Sequence, residues 1–194
     1  MDKFSYAIGM AIAANLKSMG AESISVEDFS NGLASELRGE KTEMTQQEAQ
    51  MEVQNHFAQL QARAMEENMK KGQEFLEENK KREGVVTLPS GLQYEVLKEG
   101  NGKKPGATDQ VKCHYEGTLI DGTVFDSSVK RGEPATFGVN QVIKGWVEAL
   151  QLMSEGSKWR LFIPQELAYG SQQVGEVIAP CSTLVFDVEL IEIV

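Results

Sequence analysis

The sequence is poor in the residues that form metal sites and disulfides. Its 194 residues include only two cysteines and two histidines. Cys113 and Cys181 lie far apart and show no metal-ligand spacing, so we expect two buried free thiols. His56 and His114 are also far apart. Cys113 and His114 are neighbours, but successive residues of a strand point to opposite faces and cannot share a metal ion. We therefore predict no metal site.

Long hydrophobic runs are missing as well. None approaches the roughly 20 residues that cross a bilayer, so we expect no membrane-spanning segment. The opening stretch MDKFSYAIGMAIAANLKSMG has no basic leader, and Asn15 and Lys17 break its apolar groups, which favours an amphipathic helix over a signal peptide. We therefore expect a cytoplasmic protein, with a periplasmic location as the alternative if a signal peptide has been removed.

Positive charge is in deficit. The chain has 19 Lys and Arg residues against 29 Asp and Glu residues, which gives a formal net charge of -10. Nucleic acids and anionic membrane surfaces repel a protein of this charge. We therefore expect neither among its partners. The 41% of hydrophobic residues is typical of a globular protein that buries a real core.

The first part of the chain has the apolar periodicity of two short helices. The first helix ends near Gly20, and the second starts after Ser25, has Asp28 at the capping-box position and ends at Gly39. The apolar residues at helical spacing are Phe4, Ile8, Ile12, Leu16 and Met19 in the first, and Val26, Phe29, Leu33 and Leu37 in the second.

A third and much longer helix is predicted to run from Thr45, which forms a capping box with Glu48, to Gly84. About 40 helical residues make a rod of roughly 60 Å. The first half carries an apolar stripe and is expected to pack, whereas the later half is charged nearly all round and is expected to project. Two short helices cannot cover the whole stripe, so we expect a homodimer through residues 1–65. A simple intramolecular core is the alternative.

After Gly84 the pattern changes to short β-branched and aromatic runs separated by turn residues, which predicts an antiparallel sheet. Asp121 and Gly122 form a hairpin signal between two such runs. One helical interruption, QVIKGWVEALQLM, predicts a short helix laid across the sheet. The fold class is α+β, with a helical domain at residues 1–84 and a sheet domain at residues 85–194.

Several strings in the second domain, in this order and spacing, resemble those of the FK506-binding protein (FKBP) family: VKCHYEG, GTVFDSS, VIKGWVEAL, AYG and STLVFDVEL. The first part resembles the N-terminal dimerisation region of bacterial Mip-like and FklB-type isomerases. The resemblance implies a peptidyl-prolyl cis/trans isomerase that needs no cofactor and whose sheet wraps around a short helix. It also implies macrolides such as FK506 or rapamycin as inhibitors, and proline-containing unfolded or partly folded proteins as clients.

The same resemblance assigns roles to individual residues. Trp146 would form the floor of a proline pocket, Asp126 would lie beside the twisted carbonyl, and the Tyr169 hydroxyl would donate to a substrate carbonyl. The backbone N–H of Ile143 would hold the chain beyond proline. The pocket walls would be Tyr115, Phe125, Phe137, Val142, Ile143, Ile178 and Phe186. Two positions expected on the rim, Ala135 and Val174, differ from the common eukaryotic pattern, in which an aromatic residue and a histidine occur.

Each assignment has a structural alternative. Aromatic residues on alternating strand positions are usually core. Asp126 precedes two serines and has the features of a turn cap, and Tyr169 beside Gly170 has those of a loop anchor held by its hydroxyl. At the level of the whole protein, the alternative is a non-catalytic chaperone or interaction module with a vestigial pocket. The first hypothesis is an isomerase that accelerates the folding of proline-containing proteins, with clients held by the dimer.

Overall fold

The computed structural model describes residues 1–21 and 23–194. Contacts between residues divide the chain into two compact units, Met1–Arg63 and Ala64–Val194. The division falls within the third helix, whereas the sequence pattern puts the domain boundary between residues 84 and 85.

The helices of the first part follow the predicted pattern. The first helix, α1, is followed by Gly20, and the second, α2, by Gly39, and both glycines have a left-handed φ that ends a helix without side-chain strain. The third helix, α3, is the long one. The bounds are Lys3–Ser18 for α1, Val26–Arg38 for α2 and Gln46–Asn79 for α3.

Side chains cap the starts of these helices. The Ser25 hydroxyl accepts the Asp28 N–H at 3.2 Å. At the start of α3 the capping is reciprocal, because the Thr45 hydroxyl accepts the Glu48 N–H at 3.2 Å and the Glu48 carboxylate accepts the Thr45 N–H at 2.8 Å. Both caps lie where the sequence predicts them, and they satisfy backbone donors that a helix start leaves free.

The length predicted for α3 is wrong at its C-terminal end. The helix stops at Asn79 rather than continuing to Gly84. The buried Asn79 amide donates to the Gln93 side chain at 2.9 Å, and its oxygen accepts from Arg82 at 2.9 Å. The first bond ties the end of α3 to the strand that begins at Gln93, and the second holds the turn that follows the helix. Gly84, with a φ of 85°, completes the turn.

The charge pattern predicted that the later half of α3 projects into solvent. In the structure it packs against the sheet instead. Within the second unit, Gly72 and Asn79 are buried and the Phe75 ring lies 6.0 Å from that of Phe162. These three helical positions are spaced three to four residues apart, so they form a narrow stripe that packs on the sheet side while the charged residues face solvent. A stripe this narrow is hidden among charges in the sequence.

The second unit contains an antiparallel sheet. Its seven strands, counted over the described residues, include six that are joined in the order β1-β2-β6-β7-β3-β4. The seventh, β5, pairs with residues 110–113 of β3. The prediction of an α+β fold with an antiparallel sheet is confirmed. The strands are β1 Val85–Thr87, β2 Gln93–Lys98, β3 Gln110–Leu119, β4 Val124–Ser127, β5 Ala135–Gly138, β6 Lys158–Ile163 and β7 Leu184–Ile193.

The predicted Asp121–Gly122 hairpin joins β3 to β4, and Gly122 has a φ of 87°. The strand β5 was not predicted, because it is short and lies directly after Pro134. Two further helices are α4, Ser128–Arg131, and α5, Lys144–Leu152. The helix α5 lies close to the sheet because Gly145 has no side chain: an added Cβ would meet the Ile163 side chain at 2.6 Å.

The core of the second unit lies between α5 and the sheet. The strand β3 alternates buried and less buried positions, so that Cys113, Tyr115 and Gly117 share the inner face. Trp146 of α5 and Phe186 of β7 complete that layer. One side of this core is open, which leaves room for a site.

Candidate active site

A cavity of about 750 Å³ opens at this side of the core. It lies between α5, the strands β3, β4, β5 and β7, and the loop that joins β6 to β7. Every residue that the resemblance assigned to a proline pocket lines it: Tyr115, Phe125, Asp126, Phe137, Val142, Ile143, Trp146, Tyr169, Ile178 and Phe186. The rim adds Val174, which was expected there, and four residues that were not predicted, namely Gln141, Gly175, Glu176 and Val177.

The indole of Trp146 is held by aromatic rings that meet it edge-on. The ring centroids of Tyr115, Phe137 and Phe186 lie 5.4, 5.6 and 5.4 Å from it, at interplanar angles of 85°, 82° and 86°. Edge-to-face pairs of this kind are favourable beyond the area that they bury. Trp146 is 4% exposed. The surrounding rings therefore fix the floor of the cavity in one orientation.

Gly117 lets two wall residues come close together. A Cβ atom at this position would lie 2.5 Å from the Phe125 ring and 2.7 Å from the Phe186 ring. These distances are too short for any side chain, so the two rings occupy the space that a side chain on β3 would fill. Phe125 and Phe186 meet edge-on with centroids 5.4 Å apart. The absence of a side chain on Gly117 thus determines the width of this part of the cavity.

Asp126 is held by two donors. The Tyr115 hydroxyl donates to Oδ2 at 2.5 Å, and Arg131 of α4 forms an ion pair with Oδ1. Arg131 also donates to the Tyr115 hydroxyl at 2.9 Å and lies over the Tyr115 ring. The carboxylate is therefore fixed at the cavity edge. The side chain that caps α4 is Ser127, whose hydroxyl accepts the Lys130 N–H.

Electrostatics keep Asp126 ionised. Partial burial acts to raise its pKa, but the hydrogen bonds from Tyr115 and Arg131 outweigh burial, and the net pKa lies below its ordinary value. The pKa of Tyr115 is raised by burial and by its bond to the carboxylate. At neutral pH the pair is thus a phenol that donates to a carboxylate.

The Tyr169 side chain faces the same cavity. Burial and then the charge of Asp126 raise the pKa of its phenol, which stays protonated. Among the described residues its hydroxyl has no hydrogen-bond partner, so it does not anchor its loop in the way the structural alternative supposed. The N–H of Ile143, at the start of α5, also finds no acceptor within the described part of the chain. Both donors are available to a ligand.

Two family models match the chain. The model of FKBP-type peptidyl-prolyl cis-trans isomerases matches residues 101–191, and the model of the domain amino terminal to that isomerase matches residues 1–96. The chain is 47% identical over 192 residues to the FKBP-type 22 kDa peptidyl-prolyl cis-trans isomerase of Escherichia coli strain K12, which covers 97% of this chain and 93% of the relative. The chain belongs to the FKBP-type peptidyl-prolyl cis-trans isomerases.

Other relatives agree with this family. The outer membrane protein MIP of Legionella longbeachae is 44% identical over 199 residues, covering 99% of this chain and 85% of the relative. The crystal structure of FkpA from Escherichia coli matches with a TM-score of 0.80 and 34% identity, over 98% of this chain and 95% of that one. The sequence-based prediction of an FKBP-type isomerase with a helical N-terminal region is confirmed.

This FKBP-type isomerase holds no grouped metal ligands among its described residues. Within those residues, no helix is both long and apolar enough to cross a bilayer. Cys113 and Cys181 are buried and unbridged, as predicted. Burial raises the pKa of Cys113 to about 12, so its thiol is un-ionised and unreactive near neutral pH.

Sequence reasoning missed two groups that support the isomerase site. Arg131 was not selected, because nothing in VKRGEP distinguishes it from a surface cation until α4 brings it back to Asp126. Ser128 was considered only as part of a turn. Its buried hydroxyl accepts the Tyr115 N–H at 2.7 Å and donates to the Tyr115 carbonyl at 3.1 Å. Of the two departures expected on the rim, Val174 lines the cavity and Ala135 does not.

Proposed function

We propose that this cavity binds the proline of a client segment and twists the peptide bond before it, with Asp126 and Tyr169 acting on that bond. The observation that carries the proposal is the convergence of one carboxylate, one unpaired phenol and one free backbone N–H on an aromatic cavity. No bond of the substrate is broken in such a reaction. The residues therefore need only to bind the twisted amide better than either planar form.

The energetic requirement is modest. Rotation about a prolyl peptide bond faces a barrier of about 18–20 kcal/mol. A rate gain on the order of 10⁵ requires about 7 kcal/mol of preference for the twisted form. The dry aromatic walls contribute by excluding water, which would otherwise hydrogen-bond to the planar, charge-separated amide.

Each polar group of the cavity has a different role toward the substrate. The Asp126 carboxylate lies beside the twisted carbonyl and biases its polarisation, while the Tyr169 hydroxyl donates to a carbonyl of the substrate. The Ile143 N–H holds the chain beyond proline. These three groups orient the substrate, and the rings around Trp146 bury the proline ring.

A protease-coupled assay with a short proline peptide tests the proposal. We expect acceleration at nanomolar to micromolar enzyme, and competition by FK506 or rapamycin. The matched control is the double variant Asp126→Asn/Tyr169→Phe, which leaves the aromatic walls unchanged and removes only one charge and one hydroxyl. No acceleration by micromolar wild-type enzyme would favour the alternative, a non-catalytic chaperone module.

A homodimer through residues 1–65 is the second part of the proposal. None of the described residues of α1 and α2 is buried, and large apolar side chains lie open to solvent: Phe4 is 72% exposed, Val26 73% and Leu37 78%. Exposed apolar surface of this extent is typical of an interface. A second copy is the simplest partner, because the same amphipathic faces are then buried on both chains.

The mass of the full chain in solution tests the dimer. Light scattering should give twice the mass of one chain, and Leu37→Glu should lower it because a charge cannot be buried in an apolar interface. Glu43→Gln, an exposed change in the next loop, serves as the control. A monomeric wild-type chain at micromolar concentration would contradict the proposal.

The dimer would also hold unfolded clients near its active sites and raise their effective concentration there. To test this, the whole chain is compared with the second compact unit, residues 64–194, on a short peptide and on a protein whose refolding is limited by proline. Both are used at equal active-site concentration, and circular dichroism checks that the fragment is folded. We expect equal activity on the peptide and lower activity of the fragment on the protein. Equal activity on both substrates would remove the holding function.

A further inference from the structure

The end of the cavity formed by the β6–β7 loop is attached to the later half of α3. Asn68 donates its side-chain amide to the Pro180 carbonyl at 2.9 Å. One turn further along, Gly72 is buried against the Thr183 side chain. Thr183 itself is only 5% exposed and directly precedes β7. All of these contacts lie within the second compact unit.

The peptide group between Pro180 and Cys181 is held from both sides. Its carbonyl accepts from Asn68, and its N–H donates to the Gly170 carbonyl at 2.8 Å. Gly170 directly follows Tyr169. One rigid peptide unit thus connects α3 to the turn that presents the Tyr169 phenol to the cavity.

The backbone around this peptide group is not in a relaxed conformation. Cys181 is the non-glycine residue with a positive φ, 61°, among those the structure describes. Such a conformation persists only where surrounding contacts fix it. The available contacts are the bond to Gly170, the bond from α3 to Pro180, and burial of the Cys181 side chain.

The same segment is continuous with another part of the cavity rim. Ile178, which is 5% exposed and lines the cavity, exchanges two backbone hydrogen bonds with Val174. These bonds close the rim loop that carries residues 175–177. Pro180 follows Ile178 by two residues, so the segment that α3 contacts adjoins the rim loop as well as the turn at Tyr169.

We propose that Asn68 and Gly72 are positioning residues of the isomerase site: by fixing the segment from Pro180 to Thr183, they hold Tyr169 and the rim loop in the geometry that binds the twisted amide. Neither residue contacts the cavity. This inference rests on the proposed function of the cavity. It predicts that changes on α3 alter catalysis even on a short peptide.

Gly72 allows a test by compensation, carried out on the full chain. In Gly72→Ala the new Cβ would collide with the Thr183 hydroxyl, so the Thr183 side chain must rotate or α3 and the loop must separate. Alanine improves helix propensity, so any loss cannot come from a weakened helix. Thr183→Ala removes the colliding hydroxyl and leaves the Thr183 Cβ at 3.2 Å, a tight contact that small shifts relieve. We expect kcat/KM to fall about fivefold in Gly72→Ala, and to recover to within about twofold in the double variant Gly72→Ala/Thr183→Ala.

Asn68 allows a second test. Asn68→Asp keeps the shape of the side chain but removes the donor, and we expect kcat/KM to fall about fivefold, the factor that corresponds to one ordinary hydrogen bond. Gln73→Ala, on the exposed face of the same helix, is the matched control and should leave kcat/KM unchanged. Amide chemical shifts of Tyr169, Gly170 and Ile178 should move in Asn68→Asp and stay in place in Gln73→Ala.

The outcomes are distinguishable. An inactive wild-type chain would overturn the proposed function, and the chemical-shift comparison would still test the positioning. An active wild type with Gly72→Ala and Asn68→Asp at the same kcat/KM would overturn this inference alone. Shifts confined to residues 64–80 and 180–183 would also overturn it, because the displacement would then not reach Tyr169.

Discussion

The Tyr115 hydroxyl and the Asp126 carboxylate lie 2.5 Å apart on the adjacent strands β3 and β4, and Arg131 contacts both. Removing the charge at Asp126 therefore tests catalysis with little change in shape. We expect Asp126→Asn to lower kcat/KM about tenfold, which corresponds to about 1.4 kcal/mol of transition-state stabilisation. The protease-coupled assay measures it. Glu133→Gln, an exposed change in the same region, should have no effect, and an equal loss in both variants would show that the effect is not specific to the site.

Arg131 should control the acid limb of the pH profile. The pKa of Asp126 is depressed in the folded protein, so the ionised carboxylate is present above its ordinary pKa and is lost as pH falls through the depressed value. Without Arg131 that pKa rises, and the decline of kcat/KM should begin at higher pH in Arg131→Ala. An assay without protease, such as exchange spectroscopy of a proline peptide, follows it at low pH.

The control for this prediction is Lys130→Ala, which removes an adjacent cation that does not touch Asp126. Both side chains of the Arg131–Asp126 pair are about half exposed, so the pair stabilises the fold by only about 0–1 kcal/mol. The thermal midpoint should therefore change little in either variant. Identical acid limbs in the wild type and in Arg131→Ala would show that Arg131 does not influence the charge of Asp126.

Tyr169→Phe separates binding from loop anchoring. The hydroxyl has no partner among the described residues, so its removal should leave the thermal midpoint unchanged. If the hydroxyl donates to a substrate carbonyl, kcat/KM should fall about threefold to tenfold, the effect of one lost hydrogen bond. Thermal unfolding and the peptide assay are measured on the same sample. A lowered midpoint with unchanged kcat/KM would instead favour the anchoring role.

Gly117→Ala should narrow the cavity from the side of β3. The added methyl group would collide with the rings of Phe125 and Phe186, which line the open cavity. Overpacking of this kind typically costs about 1–3 kcal/mol of stability. We expect a lower free energy of unfolding and a greater loss of macrolide binding, measured by calorimetry. Gly122→Ala is an informative control: nothing surrounds its added Cβ, but its φ of 87° makes it strained, so it should lose stability without losing binding in the folded fraction.

The sequence was sufficient for the fold class and for the composition of the cavity wall. The helix caps at Ser25 and Thr45 and the hairpin at Gly122 depend on residues close in sequence, and they were predicted at the right positions. The wall residues were found because the family resemblance preserves their order. Their grouping in one cavity follows from β3, whose inner face brings Tyr115 next to residues of the two strands beside it.

The elements that were not predicted depend on contacts between distant residues. The end of α3 is determined by the bond between Asn79 and Gln93, and no local signal at residues 79–84 shows it. The packing of the later half of α3 depends on a few residues spaced among many charges. Arg131 joins the site only because α4 turns the chain back toward Asp126. Glu176 and its neighbours enter the rim through the conformation of the β6–β7 loop.

The central position of β3 also makes catalysis a measure of folding. Its pairing partners β4, β5 and β7 all follow it in the chain, and the cavity needs Phe186 of β7 as much as Tyr115 of β3. A partly folded molecule with β7 undocked therefore has no partial active site. After dilution from denaturant, the recovered isomerase activity would therefore be proportional to the number of completely folded molecules. An intermediate in which β7 has not yet paired with β3 would show no activity in this assay.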